Sequence, residues 1–205
     1  MRLHLIRHGQ TDWNLNHRFQ GQTDIPLNET GMEQAQKIAR RLSKVAIDAI
    51  YSSDLTRAIQ TAEQIASHHN LNLHTDSRWR EQSFGEWEGL NFTEMQSAAL
   101  DLLGAWRVDP LHNPPPQGET LTQLAKRVEA ALNDIKARHV EQNVLLVTHG
   151  GVLMTLACLA LGVDLKKYWQ FSFSSASLSE IAFYEEGAIV NLLNDTSHLA
   201  ESHLT

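Results

Sequence analysis

The sequence predicts a three-layer α/β/α sandwich with a mainly parallel central sheet. Two observations carry that reading. Apolar runs of strand length alternate with amphipathic runs of helical period, the pattern of an α/β protein. Three of the strand-like runs also end on polar, chemically useful residues, Arg7-His8, Ser52-Ser53 and Thr148-His149, and open α/β sheets bind ligands beyond the carboxyl ends of their strands.

Leu3 to Ile6 reads as a short buried strand that stops at Arg7-His-Gly9. A long polar stretch follows, with turn residues at Gly21, Pro26 and Gly31. Thr30-Gly-Met-Glu33 fits a capping box, in which Thr30 and Glu33 satisfy each other's orphan amides. Met32, Ala35, Ile38, Ala39 and Leu42 then recur at helical spacing. Ile47 to Tyr51 reads as a second strand, and Leu55, Ala58, Ile59, Ala62, Ile65 and Ala66 mark the next amphipathic helix.

The stretch from Arg78 to Gly118 has a different texture, with three of the five tryptophans (Trp79, Trp87, Trp106) and Pro114-Pro-Pro116. It reads as an insertion with one helix, small and placed over the site, its lid portion spanning about 89–118. Leu121, Leu124, Val128, Leu132 and Ile135 mark a further helix. Val144 to Val147 is a continuous apolar strand, followed by an apolar helix from Val152 to Leu161. Leu178 to Tyr184 and Ala188 to Leu193, split by Glu185-Glu-Gly187, look like a hairpin, which could offer a sheet edge to a second copy or lie covered in a monomer. No repeat, charge block or linker divides the chain, so residues 1–205 are expected to form one domain.

Composition narrows the function classes. The chain is 42% hydrophobic and 20% charged, with a formal net charge of -7. Its overall field repels phosphates and nucleic acid, so an anionic substrate must be drawn in by a local basic cluster. No basic stripe with interleaved aromatics is present, which argues against nucleic-acid binding. The single cysteine, Cys158, rules out an internal disulfide and reads as a small buried hydrophobe. The apolar run from Val152 to Leu161 is shorter than the roughly 20 residues that span a membrane. Met1 to Ile6 has no signal-peptide architecture, so a cytoplasmic protein without a membrane partner is expected.

Arg7-His-Gly9 alone is weak, but Thr148-His-Gly-Gly151 repeats its layout of apolar strand, histidine and glycine. Glycines such as Gly150 let the backbone approach a ligand, and the helix N-terminus that follows favours an anion. Arg57, early in its helix, opposes the macrodipole and so needs an anionic partner, either a ligand or, as a plain surface residue, Asp54. Arg80-Glu-Gln-Ser-Phe-Gly-Glu-Trp-Glu-Gly89 sets carboxylates beside aromatics, where a glutamate can hold a proton for general acid work. Residue types alone leave Glu81, Glu86 and Glu88 as equal candidates.

Leu5-Ile-Arg-His-Gly-Gln-Thr11, Trp13-Asn14, Gln20-Gly21, Tyr51-Ser-Ser-Asp-Leu-Thr-Arg57, Arg80-Glu81, Phe84-Gly85, Trp87-Glu-Gly89 and Val147-Thr-His-Gly-Gly151 occur in order over most of the chain. Together they resemble the histidine phosphatase superfamily, whose members share the phosphoglycerate mutase-like fold. The resemblance implies a phosphomonoesterase in which His8 is the nucleophile and a phosphohistidine is the intermediate. It implies that Arg7, Arg57 and His149 form the phosphate pocket, that Asn14 adds a hydrogen bond, and that Gln20, Gly21 and Gly150 help bind substrate. It also selects Glu81 as the proton donor. Two arginines and a second histidine stabilise a transferring phosphoryl group without a metal, so neither metal nor cofactor is expected. The other nine histidines (His4, His17, His68, His69, His74, His112, His139, His198, His203) fit no metal-ligand spacing.

Substrate signals are coarser. Between Gly89 and Glu119 the only cation is Arg107, too few for the bisphosphate held by a mutase. Trp106 and the proline-rich stretch suit a small organic phosphate with an apolar or aromatic part. Phe84-Gly-Glu-Trp-Glu-Gly89, Pro115-Pro-Gln-Gly-Glu-Thr-Leu121 and Arg127-Val128 look most like α-ribazole-5′-phosphate phosphatases of cobalamin assembly. Phosphoserine phosphatase, cofactor-dependent phosphoglycerate mutase and a non-catalytic phosphate-binding or regulatory protein are the alternatives. The expected partner is a small phosphomonoester, and the expected assembly a monomer or homodimer.

Overall fold

The computed structural model describes residues 1–200 of the chain. Six strands, β1 (Arg2–Arg7), β2 (Ala49–Ser52), β3 (Leu73–Thr75), β4 (Asn143–Thr148), β5 (Leu178–Tyr184) and β6 (Gly187–Asp195), form one sheet in the order β3-β2-β4-β1-β5-β6. The first four are parallel. The hairpin β5–β6 extends the sheet antiparallel to β1. The helices are α1 (Asp12–Leu15), α2 (Glu29–Leu42), α3 (Thr56–Ala66), α4 (Phe92–Ala98), α5 (Leu100–Val108), α6 (Leu121–Arg138) and α7 (Gly150–Leu161).

The layers follow from the period of two along each central strand. Leu3 and Leu5 of β1 and Val144 and Leu146 of β4 share a core with Leu124, Val128, Leu132 and Ile135 of α6 and Leu153 and Leu156 of α7. Ile6, Leu145 and Val147 point the other way, into a core with Ile38 and Leu42 of α2 and Ala58, Ala62 and Ile65 of α3. Both faces are thus covered, giving the expected α/β/α sandwich, and Cys158 is fully buried within the α6–α7 core. Helix α7 stops where Gly162 takes a left-handed conformation at φ 63°.

The structure differs from the sequence reading in four places. Helix α2 is capped by Asn28, whose side chain accepts from the Gly31 amide, and not by Thr30. Asparagine caps at least as well as threonine, and the earlier start puts Gly31 in the first turn, where the chain packs backbone to backbone. The insertion holds two helices, α4 and α5, instead of one, because Ala99 leaves the helical region (φ -156°, ψ 57°) with no breaker residue to announce it. Strand β3 was not anticipated; it is three residues long and mostly exposed, so it carries no apolar period. Trp79 belongs to the α6–α7 core, and only Trp87 and Trp106 join Met95 and Leu103 in the separate core of the insertion.

Gly31 is where α2 meets the loop after β1. A Cβ built there would stand 2.0 Å from the Gln10 carbonyl oxygen, and one on Gly9 would stand 2.4 Å from the Gly31 oxygen. Gly104 is the opposite case, an exposed helical glycine with nothing within 4 Å of a Cβ. Gly31→Ala should therefore destabilise the fold by about 1–3 kcal/mol through overpacking. Gly104→Ala should stabilise it by up to about 1 kcal/mol through helix propensity. Urea denaturation midpoints of the two variants check both signs.

Candidate active site

Parallel pairing of β1 with β4 aligns Arg7 with Thr148, and the His8 amide continues the ladder to the Thr148 carbonyl at 2.9 Å. His8 and His149, each the residue after its strand, are thereby neighbours, with ring centroids 5.1 Å apart. Strand β2 lies on the far side of β4, and the Ser53 amide bonds to the Val147 carbonyl. The three polar strand ends therefore meet at one edge of the sheet.

Hydrogen bonding assigns the imidazole tautomers. His8 Nδ1 lies 2.7 Å from the Gly9 carbonyl, which only accepts, so Nδ1 carries the proton and Nε2 keeps its lone pair. Arg57 Nε donates to His149 Nδ1 at 3.3 Å, so His149 carries its proton on Nε2, a buried donor without a partner. Both imidazoles titrate well below the usual 6.5. Desolvation is the main cause for each, followed by the charge of Arg57. His8 is accordingly neutral at physiological pH.

Arg57 is fully buried, and its partner is not Asp54, which instead forms a two-pronged pair with Arg80 at 2.7 Å. The guanidinium donates to the carbonyls of Thr23 (2.8 Å) and Gly21 (2.7 Å) as well as to His149. Burial lowers its pKa to about 10, which leaves it charged at neutral pH. Its acceptor loop is pinned by Glu88, whose carboxylate accepts from the amides of Gln22, Thr23 and Phe84 and from the Thr23 hydroxyl. Glu88 is thus committed to structure, and Glu86 is exposed. Glu81 alone of the three lines a cavity.

That cavity, of about 470 Å³, is lined by Arg7, His8, Asn14, Gln20, Gly21, Arg57 and Glu81, together with Arg18, Phe19 and Phe84. Asn14 closes a capping box with Thr11, its Oδ1 accepting from the Thr11 amide, which leaves the Nδ2 donor for a ligand. The Gln20 Oε1 is held by the Thr11 hydroxyl at 2.9 Å. Arg7 is anchored by a bond to the Phe173 carbonyl, while its buried Nε has no partner. Glu81 accepts from the Gln82 amide at 2.9 Å and the Gly151 amide at 3.1 Å. His149 is absent from the lining of this cavity; it is fully covered, against His8 and Arg57. Gly150 is absent from that lining but lies on an adjoining cavity of about 260 Å³, where a Cβ on it would stand 3.6 Å from the Arg7 guanidinium.

This second cavity shares Arg7, Glu81, Phe19 and Phe84 with the first and adds Met154, Tyr168, Trp169 and Phe171. The sequence reading missed its wall. Tyr168-Trp169, an aromatic pair in the loop after α7, was the available signal, since Trp169 remains half exposed. Trp169 packs edge to face on Trp106 of the insertion, with centroids 5.4 Å apart, which ties the insertion to the mouth of the site. Arg107 instead sits over Phe92 on the insertion's outer side and lines neither cavity. Among the described residues no group of three or more His, Cys, Asp or Glu is arranged to hold a metal ion, and His203 lies outside the described residues. No described helix is long and apolar enough to cross a membrane.

The profile of the histidine phosphatase superfamily (branch 1) matches residues 3–196. Phosphoserine phosphatase 1 of Hydrogenobacter thermophilus is 35% identical over 204 residues, covering 100% of this chain and 97% of its own. The crystal structure of the α-ribazole phosphatase from Shigella flexneri superposes with a TM-score of 0.89 at 32% identity, covering 95% of this chain and 96% of that one. The phosphoserine phosphatase of Entamoeba histolytica, solved with 3-phosphoglyceric acid, superposes with a TM-score of 0.88 at 30% identity, over 97% and 99% of the two chains. With its motifs in order and its two histidines side by side at the sheet edge, the chain belongs to the histidine phosphatase superfamily.

Proposed function

We propose that this phosphatase hydrolyses a small organic phosphomonoester through a phosphohistidine on His8, and that the alcohol part of its substrate is apolar or aromatic. One observation carries the reading: a neutral His8 with its Nε2 lone pair free, in a cavity shared with Arg7, Arg57 and the Glu81 carboxyl group. The Nε2–phosphorus bond forms as the bond to the leaving alkoxide breaks, and Glu81 gives that alkoxide its proton. Water then attacks phosphorus, returns its proton to Glu81 and releases His8. Arg7, Arg57, the Nε2–H of His149 and the Asn14 amide bind the equatorial oxygens, whose charge grows in the transition state. The unpartnered donors on Arg7 and His149 support that assignment. Gln20, Gly21 and Gly150 flank the bound ester.

Glu81 lines both cavities, which supports a leaving alcohol that occupies the second one, against Phe84, Trp169 and Phe171. Such a wall favours a nucleotide-like ester such as α-ribazole 5′-phosphate. Phosphoserine is the second reading, favoured by the name of the Hydrogenobacter relative; Arg18 also lines the cavity, but its charge is already paired with Glu94. A mutase reading has less support, because Arg107 faces away from the site.

Phosphate release from α-ribazole phosphate, phosphoserine, 3-phosphoglycerate and aryl phosphates, with EDTA present, tests the proposal. Wild type should turn over in EDTA, and His8→Ala should lose at least about three orders of magnitude in kcat. Full activity in His8→Ala would sink the phosphohistidine reading, and phosphoserine as the fastest substrate would select the second one. Trp169→Ala should raise KM for an aryl phosphate roughly two- to tenfold, the worth of one aromatic contact, and leave a small alkyl phosphate unchanged.

Acidification provides an independent check on His8. An unfolded chain protonates its histidines at about 6.5, whereas His8 and His149 stay neutral in the fold, so below that pH the unfolded state binds more protons. Stability is then lost as pH falls, with a slope approaching about 1.4 kcal/mol per unit for each such histidine. Chemical denaturation between pH 7 and 5.5 should give a shallower slope for His8→Ala than for wild type. Equal slopes would mean that His8 is not held neutral.

A further inference from the structure

Glu119 and Arg127 lie outside both cavities, yet they enclose the segment that carries Glu81. From α6, Arg127 donates through Nη1 to the carbonyls of Arg78 (2.8 Å) and Arg80 (2.6 Å) and through Nη2 to that of Glu81 (2.8 Å). Its Nε and Nη2 also grip the Glu119 carboxylate at 3.1 and 2.5 Å, so all five guanidinium protons have acceptors. Glu119 in turn accepts from the Ser83 amide at 2.9 Å, and the Glu119 backbone exchanges hydrogen bonds with Ser83 and with the Gln82 side chain. Both side chains are mostly covered, at 19% and 16% exposure, so the pair is largely out of water.

We propose that the Arg127–Glu119 pair is a positioning device that sets where the Glu81 carboxyl group stands relative to the leaving oxygen. The inference rests on the role of Glu81 proposed above. Among the described residues, the Glu81 carboxylate is itself held by two backbone amides alone, those of Gln82 and Gly151. Its location therefore depends on where the backbone from residue 78 to 83 runs. Three carbonyls converge on one cation there, and no neutral side chain can satisfy all three in one plane. Without Arg127 the carbonyls of Arg78 and Arg80 lose this donor, that of Glu81 keeps only the longer bond from Gln22, and the segment drifts; a displacement of about 1 Å in a catalytic group is enough to cost about a hundredfold.

A purely structural staple would lower activity on every substrate alike, whereas misplacing a proton donor harms only those that need the proton. The test compares kcat/KM, which reports on phosphoenzyme formation, for a simple alkyl phosphate and for p-nitrophenyl phosphate, whose leaving group departs without protonation. Glu81→Gln calibrates it and should slow the alkyl ester about 10²- to 10⁴-fold while sparing the nitrophenyl ester. If Glu81→Gln shows no such selectivity, the role of Glu81 is wrong and the function itself must be revised. Given that selectivity, Arg127→Met should show it too, with a loss of about a hundredfold on the alkyl ester, and Arg127→Lys should recover only part of it. Equal losses on both esters, or no loss on either, would overturn the positioning role. Should Arg127→Met fail to fold, Glu119→Gln keeps the shape, removes the charge partner and is read by the same ratio, selective loss supporting the inference and any other result ending it.

Discussion

The in-register parallel pairing of β1 with β4 is the constraint on which the site depends. Aligning Arg7 with Thr148 places His8 beside His149, although 140 residues separate the two motifs in the chain. The same register sends Leu3, Leu5, Val144 and Leu146 to one core and Ile6, Leu145 and Val147 to the other. A slip of one residue would exchange the two faces and part the histidines together. Packing and chemistry are therefore specified by one set of backbone hydrogen bonds.

Charge is organised locally, against the overall sign of the protein. The net charge is -7, yet Arg7 and Arg57 flank a buried His8 at the sheet edge. Arg57 can stay charged inside the fold because the carbonyls of Thr23 and Gly21 take its protons. That loop is in turn held by Glu88, so a carboxylate outside the cavity's lining supports the cation that lines it. Burial also lowers the affinity of both imidazoles for protons, which keeps His8 neutral beside two positive charges. The unfavourable cost of enclosing cations and the availability of a lone pair on His8 are two results of one dry environment.

Much of this arrangement was legible in the residues. The alternation of apolar runs and helical periods identified five of the six strands, including the hairpin, because those strands are buried on at least one face. Strand β3 escaped because its three residues are largely exposed, and the break at Ala99 escaped because nothing in Ala98-Ala99-Leu100 disfavours a helix. The motifs indicated which side chains would gather, and His8, Arg7, Arg57, Asn14, Gln20, Gly21 and Glu81 do line one cavity. His149 is adjacent but covered, and Gly150 faces the neighbouring space. The aromatic wall was not legible as a whole, since Phe19, Phe84 and the Tyr168-Trp169 pair come from three segments that no period connects.

What the sequence by itself determined is the class of the fold and which motifs end its strands, because strand and helix periods and strand-end motifs are local and survive being read in one dimension. Tertiary structure alone decided how Glu81 is held at the cavity, which carboxylate Arg57 does without, and which tautomer each histidine adopts. Those outcomes turn on hydrogen bonds between residues far apart in the chain: Gly151 to Glu81, Arg80 to Asp54, Arg57 to His149. A residue's type states what it can donate or accept, and only the folded chain supplies the partner.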